Sequence, residues 1–341
     1  MITPDKPAII LAPMDGVTDP LMRRLLTQRM PFSGCVSEFV RVSGLVPPKK
    51  VLIKSVPEIQ ADSVTGSGVP VAIQLLGGDP DRLARTAQLA VEMGANCVDL
   101  NFGCPAPTVN RHDGGATLLR FPDRIEGIVR AVRSALPVTI PVSAKFRLGW
   151  DEPTAIYENA ERAALAGANW IAIHGRTKMH GYHPPAFWEP IGAVNRALDI
   201  PVIANGEIWN VDDLKRCQDI TECQHFMLGR GVLANPILAK QCARHLGLDV
   251  GSDGYEGLDG EAVWSQVVSD VVWLSREKGE AERRTLSRVK QWLNYAHKRG
   301  SISWFSTAKR CRDIKELLST LDRCGVSTTS ADFYRNAIAA A

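Results

Sequence analysis

Short apolar runs alternate with longer amphipathic stretches between Ala8 and Leu246. Eight runs are rich in β-branched residues and bounded by turn residues, which is typical of buried strands: Ala8–Leu11, Cys35–Phe39, Val71–Leu75, Cys97–Asn101, Val142–Phe146, Trp170–His174, Pro201–Asn205 and His225–Gly229. Helical periodicity follows most of them, as in Asp79–Met93, Pro122–Ala135, Thr154–Ala166 and Asn210–Cys217. The alternation predicts an α/β protein, a TIM (β/α)8 barrel over residues 1–248, with an irregular second unit between Arg41 and Val69.

A different pattern follows the predicted barrel. Residues 249–261 are rich in glycine and acidic residues and have almost no periodicity, which suits a linker. Beyond it, helical periodicity returns in Val263–Lys278, Leu286–Arg299, Trp304–Leu318 and Ala331–Ala340. We therefore expect a C-terminal helical bundle domain over residues 262–341.

Charge is distributed unevenly along the chain. The 341 residues are 45% hydrophobic and 23% charged, as in ordinary globular proteins, and the net charge is only +3. Between Arg276 and Lys315, however, twelve Lys/Arg stand against four Asp/Glu, an excess of eight positive charges. The rest of the chain is therefore acidic in sum, and the predicted helical domain is the part suited to a polyanion.

The cysteines and the N-terminus indicate a cytoplasmic protein. The eight cysteines form no CxxC pair, and the first residues lack a basic segment followed by a cleavage signal. No stretch approaches the roughly 20 apolar residues that span a bilayer, so we expect no membrane insertion. We also expect a monomer.

Polar residues end several of the predicted strands. In a TIM barrel the reactive groups lie at the carboxyl ends of the strands and in the loops that follow. Five side chains occupy such positions, namely Gln74, Asn101, Lys145, His174 and Asn205. One buried polar residue can be purely structural, but five at one rim indicate a site.

The last two strands are followed by small residues that suit phosphate. The loops Asn205-Gly206-Glu207 and Gly229-Arg230-Gly231 let backbone N–H groups approach phosphate oxygens, and Arg230 adds a positive charge. Residues 229–234 also match a G-x-G-x-x-A dinucleotide pattern, but they open the last barrel helix and not the first turn of a βαβ unit. Tight turns that serve packing alone are the alternative.

Two further residues indicate chemistry. Lys145 could form a Schiff base, hold a substrate or stand beside an electron-accepting cofactor, and the phosphate loops favour the last role. Cys104 lies in the loop Asn101-Phe-Gly-Cys-Pro-Ala-Pro107 with no His nearby in sequence. A thiol with an ordinary pKa is mostly protonated at neutral pH, so proton donation is its simplest role.

Metal binding is the less favoured interpretation. His174, His180 and His183 share one loop, and Cys217 and Cys223 follow later, but their spacing matches no common zinc site. We expect no metal.

These motifs together resemble the tRNA-dihydrouridine synthase family. The matching segments run through the barrel in family order: Ala12-Pro-Met-Asp-Gly-Val-Thr18, Gln74-Leu-Leu, Asn101 to Pro107, Lys145-Phe-Arg-Leu-Gly, His174-Gly-Arg-Thr-Lys178, Ile203-Ala-Asn-Gly-Glu207 and Gly229-Arg-Gly. The segments Phe39-Val-Arg41 and Val289-Lys-Gln-Trp-Leu-Asn-Tyr295 are similar to the bacterial C subgroup, which acts at position 16 of tRNA. One departure is His180, where the family pattern leads us to expect Gln.

The resemblance implies a cofactor and a division of labour. FMN would be held by Pro13, Met14, Asp15, Gln74, Lys145, His174, Asn205, Gly206, Glu207, Gly229 and Arg230, with NADPH as the reductant and Cys104 as the general acid. The tRNA would be contacted by Arg41, Asn101, Arg147, Arg176, Lys178, Tyr182, Lys290, Trp292 and Arg299. Reducing the C5–C6 bond of uracil takes a hydride and a proton, and the target base must first leave its stack.

Two other functions compete with this one. A dihydroorotate-type FMN dehydrogenase acting on a free small molecule would share the barrel but would not need the basic helical domain. A non-catalytic tRNA-binding protein would share the helical domain but would not need Cys104, Lys145 and the phosphate loops.

Overall fold

The computed structural model of the chain describes residues 2–111, 113–250, 255 and 260–326, with only the backbone of 260–262. Nine parallel strands are present in these ranges: β1 Ala8–Leu11, β2 Gly34–Val36, β3 Val40–Arg41, β4 Val71–Leu76, β5 Val98–Asn101, β6 Val142–Arg147, β7 Trp170–His174, β8 Val202–Asn205 and β9 His225–Leu228. β1 pairs with β2 and β9, β2 pairs with β4, and the remaining neighbours pair in order. The sheet thus closes into an eight-stranded parallel barrel with β3 outside the ring, which confirms the predicted fold.

The second unit differs from the single strand predicted over Cys35–Phe39. The strand stops at Val36, and the hydroxyl of Ser37 accepts the Gln74 N–H at 3.0 Å where a ladder carbonyl would otherwise do so. Pairing resumes at β3, whose two residues lie against the end of β4. The interruption places Glu38 and Phe39 at the barrel mouth.

Helices surround the barrel. They are α1 Pro20–Arg29, α2 Lys49–Ser55, α3 Pro80–Glu92, α4 Pro107–Asn110, α5 Pro122–Ala135, α6 Ala155–Leu165, α7 Glu189–Ala197, α8 Val211–Thr221, α9 Arg230–Ala234 and α10 Leu238–His245. Start signals in the sequence act as caps, because Asp79 accepts the Arg82 N–H and Asn210 forms a capping box with Asp213. The apolar faces of these helices bury the outer wall of the barrel.

Four more helices follow: α11 Gly260–Glu277, α12 Glu282–Lys298, α13 Phe305–Ala308 and α14 Ile314–Arg323. The single helix predicted over Trp304–Leu318 was wrong, because the Asp313 side chain accepts the Glu316 N–H and starts a new helix. The predicted helix 331–340 and most of the predicted linker 249–261 lie outside the described residues.

The C-terminal helices pack directly on the barrel. Arg29 of α1 and Asp270 of α11 form a buried ion pair at 2.8 Å. The Trp292 indole N–H of α12 donates to the Leu233 carbonyl of α9 at 2.7 Å. One continuous apolar cluster includes residues of the barrel and of the C-terminal helices, Leu233 and Trp292 among them. In the described ranges no helix is both long and apolar enough to cross a membrane.

Candidate active site

A cavity of about 630 Å³ opens at the carboxyl ends of the barrel strands. Its lining brings together residues of β4 to β9 and of the loops that follow these strands and β1. All eleven residues expected to hold the cofactor line it, as do Cys104, Asn101, Arg147 and Tyr182. The polar residues that the sequence analysis singled out at the strand ends therefore line one common cavity.

A chain of hydrogen bonds, which we name the amide relay, joins Asp99, Gln74 and Asn101 on one side of the cavity. Asp99 accepts from Gln74 Nε2 at 2.7 Å, and Gln74 Oε1 accepts from Asn101 Nδ2 at 2.7 Å. Asn101 Oδ1 then accepts the backbone N–H groups of Gly103 and Cys104 at 3.0 and 2.9 Å. The relay thus links a carboxylate inside the barrel to the loop that bears the thiol.

Cys104 is held over the cavity in a fixed loop. Its carbonyl accepts the Ala116 N–H at 3.1 Å, and a Cβ on Gly115, whose φ is +61°, would lie 2.9 Å from that carbonyl oxygen. Burial raises the pKa of the Cys104 thiol above its ordinary value, and the charge of Asp15 acts in the same direction. The half-buried thiol therefore keeps its proton at neutral pH.

Lys145 and His174 stand on β6 and β7 at the cavity floor. Lys145 Nζ donates to Asn205 Oδ1 at 2.9 Å, and burial lowers its pKa to about 8 although Asp99 opposes the shift. Burial and four nearby cations hold the pKa of His174 well below its usual range, so the ring is neutral. His174 Nδ1 is buried, and no described residue pairs with it, which leaves a polar atom for a bound group.

The loop after β8, one of the two loops expected to hold phosphate, has a side-chain arrangement that the sequence did not predict. Gly206 and Glu207 both have positive φ, +117° and +58°. The Glu207 carboxylate, however, lies 2.6 Å from Arg176, 3.4 Å from Arg230 and 3.9 Å from Arg299. Burial alone would raise the pKa of Glu207, but the hydrogen bonds from Arg176 and Trp209 and the charges of Arg176 and Arg230 together outweigh burial, and the pKa is lowered. The charged Glu207 thus organises arginines, and only its backbone could serve a phosphate.

Comparison with known proteins shows the family to which the chain belongs. A profile of the dihydrouridine synthase (Dus) family matches residues 10–325. This chain belongs to the dihydrouridine synthase family. The resemblance found in the sequence is thus confirmed, and the chain is a flavin-dependent oxidoreductase that acts on uridine in tRNA.

Individual relatives agree. A tRNA-dihydrouridine(16) synthase of Shewanella oneidensis is 44% identical over 85% of this chain and 89% of its own length. The tRNA-dihydrouridine(16) synthase of Neisseria meningitidis serogroup B is 40% identical over 93% of this chain and 96% of its own length. A solved structure of a variant of NCR from Zymomonas mobilis covers 71% of this chain and 88% of its own at a TM-score of 0.50 and 15% identity, which bears on the fold alone.

A second side-chain array crosses the mouth of the cavity, and we name it the arginine–aromatic ladder. Its members in order are Arg299, Trp209, Arg230, Tyr182 and Arg147. Consecutive guanidinium carbons and ring centroids are 3.4, 5.3, 4.9 and 5.1 Å apart. Each spacing is within the range of a cation–π contact. The ladder connects the end of α12 to the barrel rim.

Three residues expected to contact tRNA are engaged inside the protein. Arg176 and Trp292 are buried, at 0% and 2% exposure, so their predicted direct contact with RNA is corrected. Arg176 instead pairs with Glu207, and Trp292 seats α12 on the barrel.

Arg147 is also buried and donates to the carbonyls of Gly103, Thr177 and Gly181. It therefore ties the Cys104 loop to the loop after β7.

The other expected tRNA residues are nearer the surface. Arg41 donates to the Thr108 carbonyl at 3.1 Å beside the Cys104 loop, and Lys178 Nζ lies 4.3 Å from the centre of the Trp150 ring. Lys290 Nζ donates to the Cys311 carbonyl and thereby links α12 to the segment after α13. None of these three residues lines the cavity in the part of the chain that the structure describes.

The loop after β7 shows what the unexpected histidines do. His180 Nδ1 lies 2.8 Å from the Thr177 hydroxyl, and the His180 ring packs against Phe187. The His183 carbonyl accepts from Arg176 Nε at 2.6 Å. Both histidines thus stabilise the loop that presents Tyr182.

Sequence reasoning missed three residues at the site. Asp99 lies inside β5 and not at its end, Trp209 is an aromatic residue of a loop, and Glu38 belongs to the interrupted second unit. Glu38 lines the cavity, its Oε1 accepts the Val17 N–H at 3.0 Å, and burial raises its pKa, with the charge of Asp19 adding to the effect. A charged residue in an apolar barrel strand was the one available signal, and it applied to Asp99.

Proposed function

We propose that this enzyme reduces uridine 16 in the D-loop of tRNA to 5,6-dihydrouridine, using FMN and NADPH, and that it acts as a monomer in the cytoplasm. The observation that supports this most directly is the convergence of Cys104, Lys145, His174 and both phosphate-type loops on one cavity. The names of the relatives at 40 to 44% identity support the position.

The residues present suit FMN. The buried Nδ1 of His174, which pairs with no described residue, and the positive charge of Lys145 are suited to the polar edge of a flavin ring, together with Gln74 and the backbone from Pro13 to Asp15. The backbone of residues 205–207 and 229–230 would hold the phosphate, with Arg230 as its cation. When bound, FMN supplies the hydride that uracil accepts at C6.

The chain itself handles the proton. Cys104 presents a protonated thiol over the cavity, and it would donate that proton to C5 of uracil. The amide relay holds the thiol's loop, and Lys145 keeps a positive charge at the floor. The cavity's volume of about 630 Å³ is in the range of ligand-binding pockets, so a flavin ring and one extruded base are a reasonable content.

Binding of tRNA would use the arginine–aromatic ladder and the helices α11 to α14. The ladder's exposed end, Arg299, directly follows α12 and stacks on Trp209, which lines the cavity. The basic excess of residues 276–315 suits phosphates of the RNA backbone. Lys290 and Arg41 would orient the RNA and would not act on the base.

Two measurements test the proposal separately. The absorption spectrum of the purified protein should show a flavin band, and its absence after addition of excess FMN would remove the cofactor assignment. Dihydrouridine mapping of tRNA from a strain that lacks this gene should show loss at position 16. Loss at position 17 or 20 with position 16 intact would refute the position while leaving the reaction in place.

A further inference from the structure

We infer that Asp99 is a positioning residue: it fixes the direction of the amide relay and thereby the placement of the Cys104 loop. The inference deepens the proposed function, since the consequence for catalysis rests on Cys104 being the proton donor. The hydrogen bonds of the amide relay, and the alkylation rate that tests them, do not depend on that role.

The relay has a fixed donor end. The N–H groups of Gly103 and Cys104 can only donate, so the atom of Asn101 that faces them at 3.0 and 2.9 Å must be its oxygen. Asn101 Nδ2 must then donate to Gln74, which turns Gln74 Oε1 towards it. Gln74 Nε2 is left facing residue 99, where only an acceptor completes the chain.

Asp99 supplies that acceptor. The carboxylate is 2% exposed, and its other oxygen accepts from the Ser143 hydroxyl at 2.6 Å. A buried carboxylate without partners would be strongly destabilising, so its two hydrogen bonds are the condition for its presence in the barrel. Since both ends of the relay demand the same direction, neither amide can rotate without leaving a buried polar group unpaired.

The charge of Asp99 also acts on Lys145. The effect of losing this charge must therefore be separated from the effect of losing the hydrogen-bond acceptor. Asp99→Asn does this, because Asn can accept from Gln74 through Oδ1 and donate to the Ser143 hydroxyl through Nδ2. Asp99→Leu removes both the charge and the acceptor while keeping the same branched arrangement of side-chain heavy atoms, although the two methyl groups are bulkier than the carboxylate oxygens. The difference between the two variants isolates the relay.

The first test measures how firmly the Cys104 loop is held in the full-length protein. Iodoacetamide alkylation of Cys104 is followed by mass spectrometry, and the partly exposed Cys324 serves as a control in the same molecule. We expect alkylation of Cys104 to accelerate about tenfold in Asp99→Leu, the effect of one to two lost hydrogen bonds, and to stay within about twofold in Asp99→Asn. Equal rates in the two variants would overturn the inference.

Uridine reduction in the same variants separates this inference from the proposed function. If Asp99→Leu loosens Cys104 and slows the transfer to uridine more than Asp99→Asn does, both stand. If the thiol is loosened and transfer to uridine is unaffected, the relay stands but Cys104 is not the proton donor.

A second test does not require Asp99→Leu to fold. Asn101→Asp keeps the acceptor for Gly103 and Cys104 but leaves Gln74 between two carboxylates, so one pair of oxygens must face each other. Adding Asp99→Asn reverses the relay: Gln74 donates to Asp at position 101 and accepts from Asn at position 99. We expect the urea midpoint to fall in Asn101→Asp and to recover in the double variant. Additive losses would contradict a directional relay.

Discussion

The two sides of the cavity are built on different physical principles. On the β4 and β5 side, the amide relay joins Asp99, Gln74 and Asn101 by hydrogen bonds of 2.7 Å whose direction is fixed. On the β7 to β9 side, Arg230 and Arg299 approach Glu207 and aromatic rings over 3.4 to 5.3 Å without one required geometry. The contacts on the β4 and β5 side are directional hydrogen bonds, whereas those on the β7 to β9 side depend on charge and stacking.

The difference indicates what each side does. Proton delivery requires a donor placed within hydrogen-bond reach of one atom, and directional contacts hold the Cys104 loop accordingly. An RNA backbone presents many similar phosphates, and arginines with several acceptable positions suit it. Changes on the relay side should therefore alter chemistry, and changes on the ladder side should alter affinity.

The largest effect is expected at Cys104. Cys104→Ala should slow uridine reduction by about 10²-fold or more, because a positioned general acid contributes that much. Flavin reduction by NADPH should stay nearly unchanged, because it needs no proton from the thiol. Single-turnover measurements separate the two half-reactions, and Cys324→Ala is the matched control. A parallel loss of flavin reduction would place Cys104 in cofactor binding and not in proton transfer.

A smaller effect is expected from titration of Lys145 at the boundary between the two sides. Because burial lowers its pKa to about 8, the amine is charged below that pH and loses its charge as the pH rises through it. Flavin reduction should therefore slow about tenfold between pH 7 and pH 9, following the charged fraction. Lys145→Arg keeps its charge over this range and should show a flat profile in stopped-flow measurements. The same decline in both proteins would exclude Lys145 as its source.

The smallest effect is expected at the exposed end of the ladder. Arg299→Ala should weaken tRNA binding several-fold and reduce the slope of log affinity against log salt by about one, without altering turnover at saturating tRNA. Arg196→Ala, on the outer helix α7 and similarly exposed, is the control and should leave both unchanged. An equal loss in both variants would mean that binding responds to net charge and not to the ladder.

Much of the site was predictable because strand ends in a barrel must converge. Gln74, Lys145, His174 and Asn205 each end an apolar run, and closure of the sheet is enough to bring them to one cavity. Asp99 was not predicted because Asn101 stands at the end of the same strand, although Gln74 and Lys145 also lie two residues before the ends of β4 and β6. Its importance depends on hydrogen-bond partners from β4 and β6, which no local pattern reveals.

The C-terminal helices show where prediction from the sequence failed. Trp292 and Lys290 were interpreted as RNA contacts because the segment Val289–Tyr295 resembles the bacterial C subgroup. Burial of Trp292 is decided by the Leu233 carbonyl, which lies 59 residues earlier in the chain, and by the docking of α12 on the barrel. Trp209 was missed for the same reason, since both arginines that flank it come from other elements. Tertiary partners, not helical periodicity, determine these roles.

The carboxylate of Glu207 competes with incoming anions for the arginines of the arginine–aromatic ladder. This carboxylate, tethered between Arg230 and Arg299, has a high effective concentration at any site that an incoming anion would occupy. A single inorganic anion competes with the Glu207 carboxylate through one contact only, so we expect it to exchange quickly. A polyanion that engages several arginines at once loses little when one contact is contested. The tethered carboxylate thus makes the rim selective for the number of charges that a ligand presents together, and not for their presence alone.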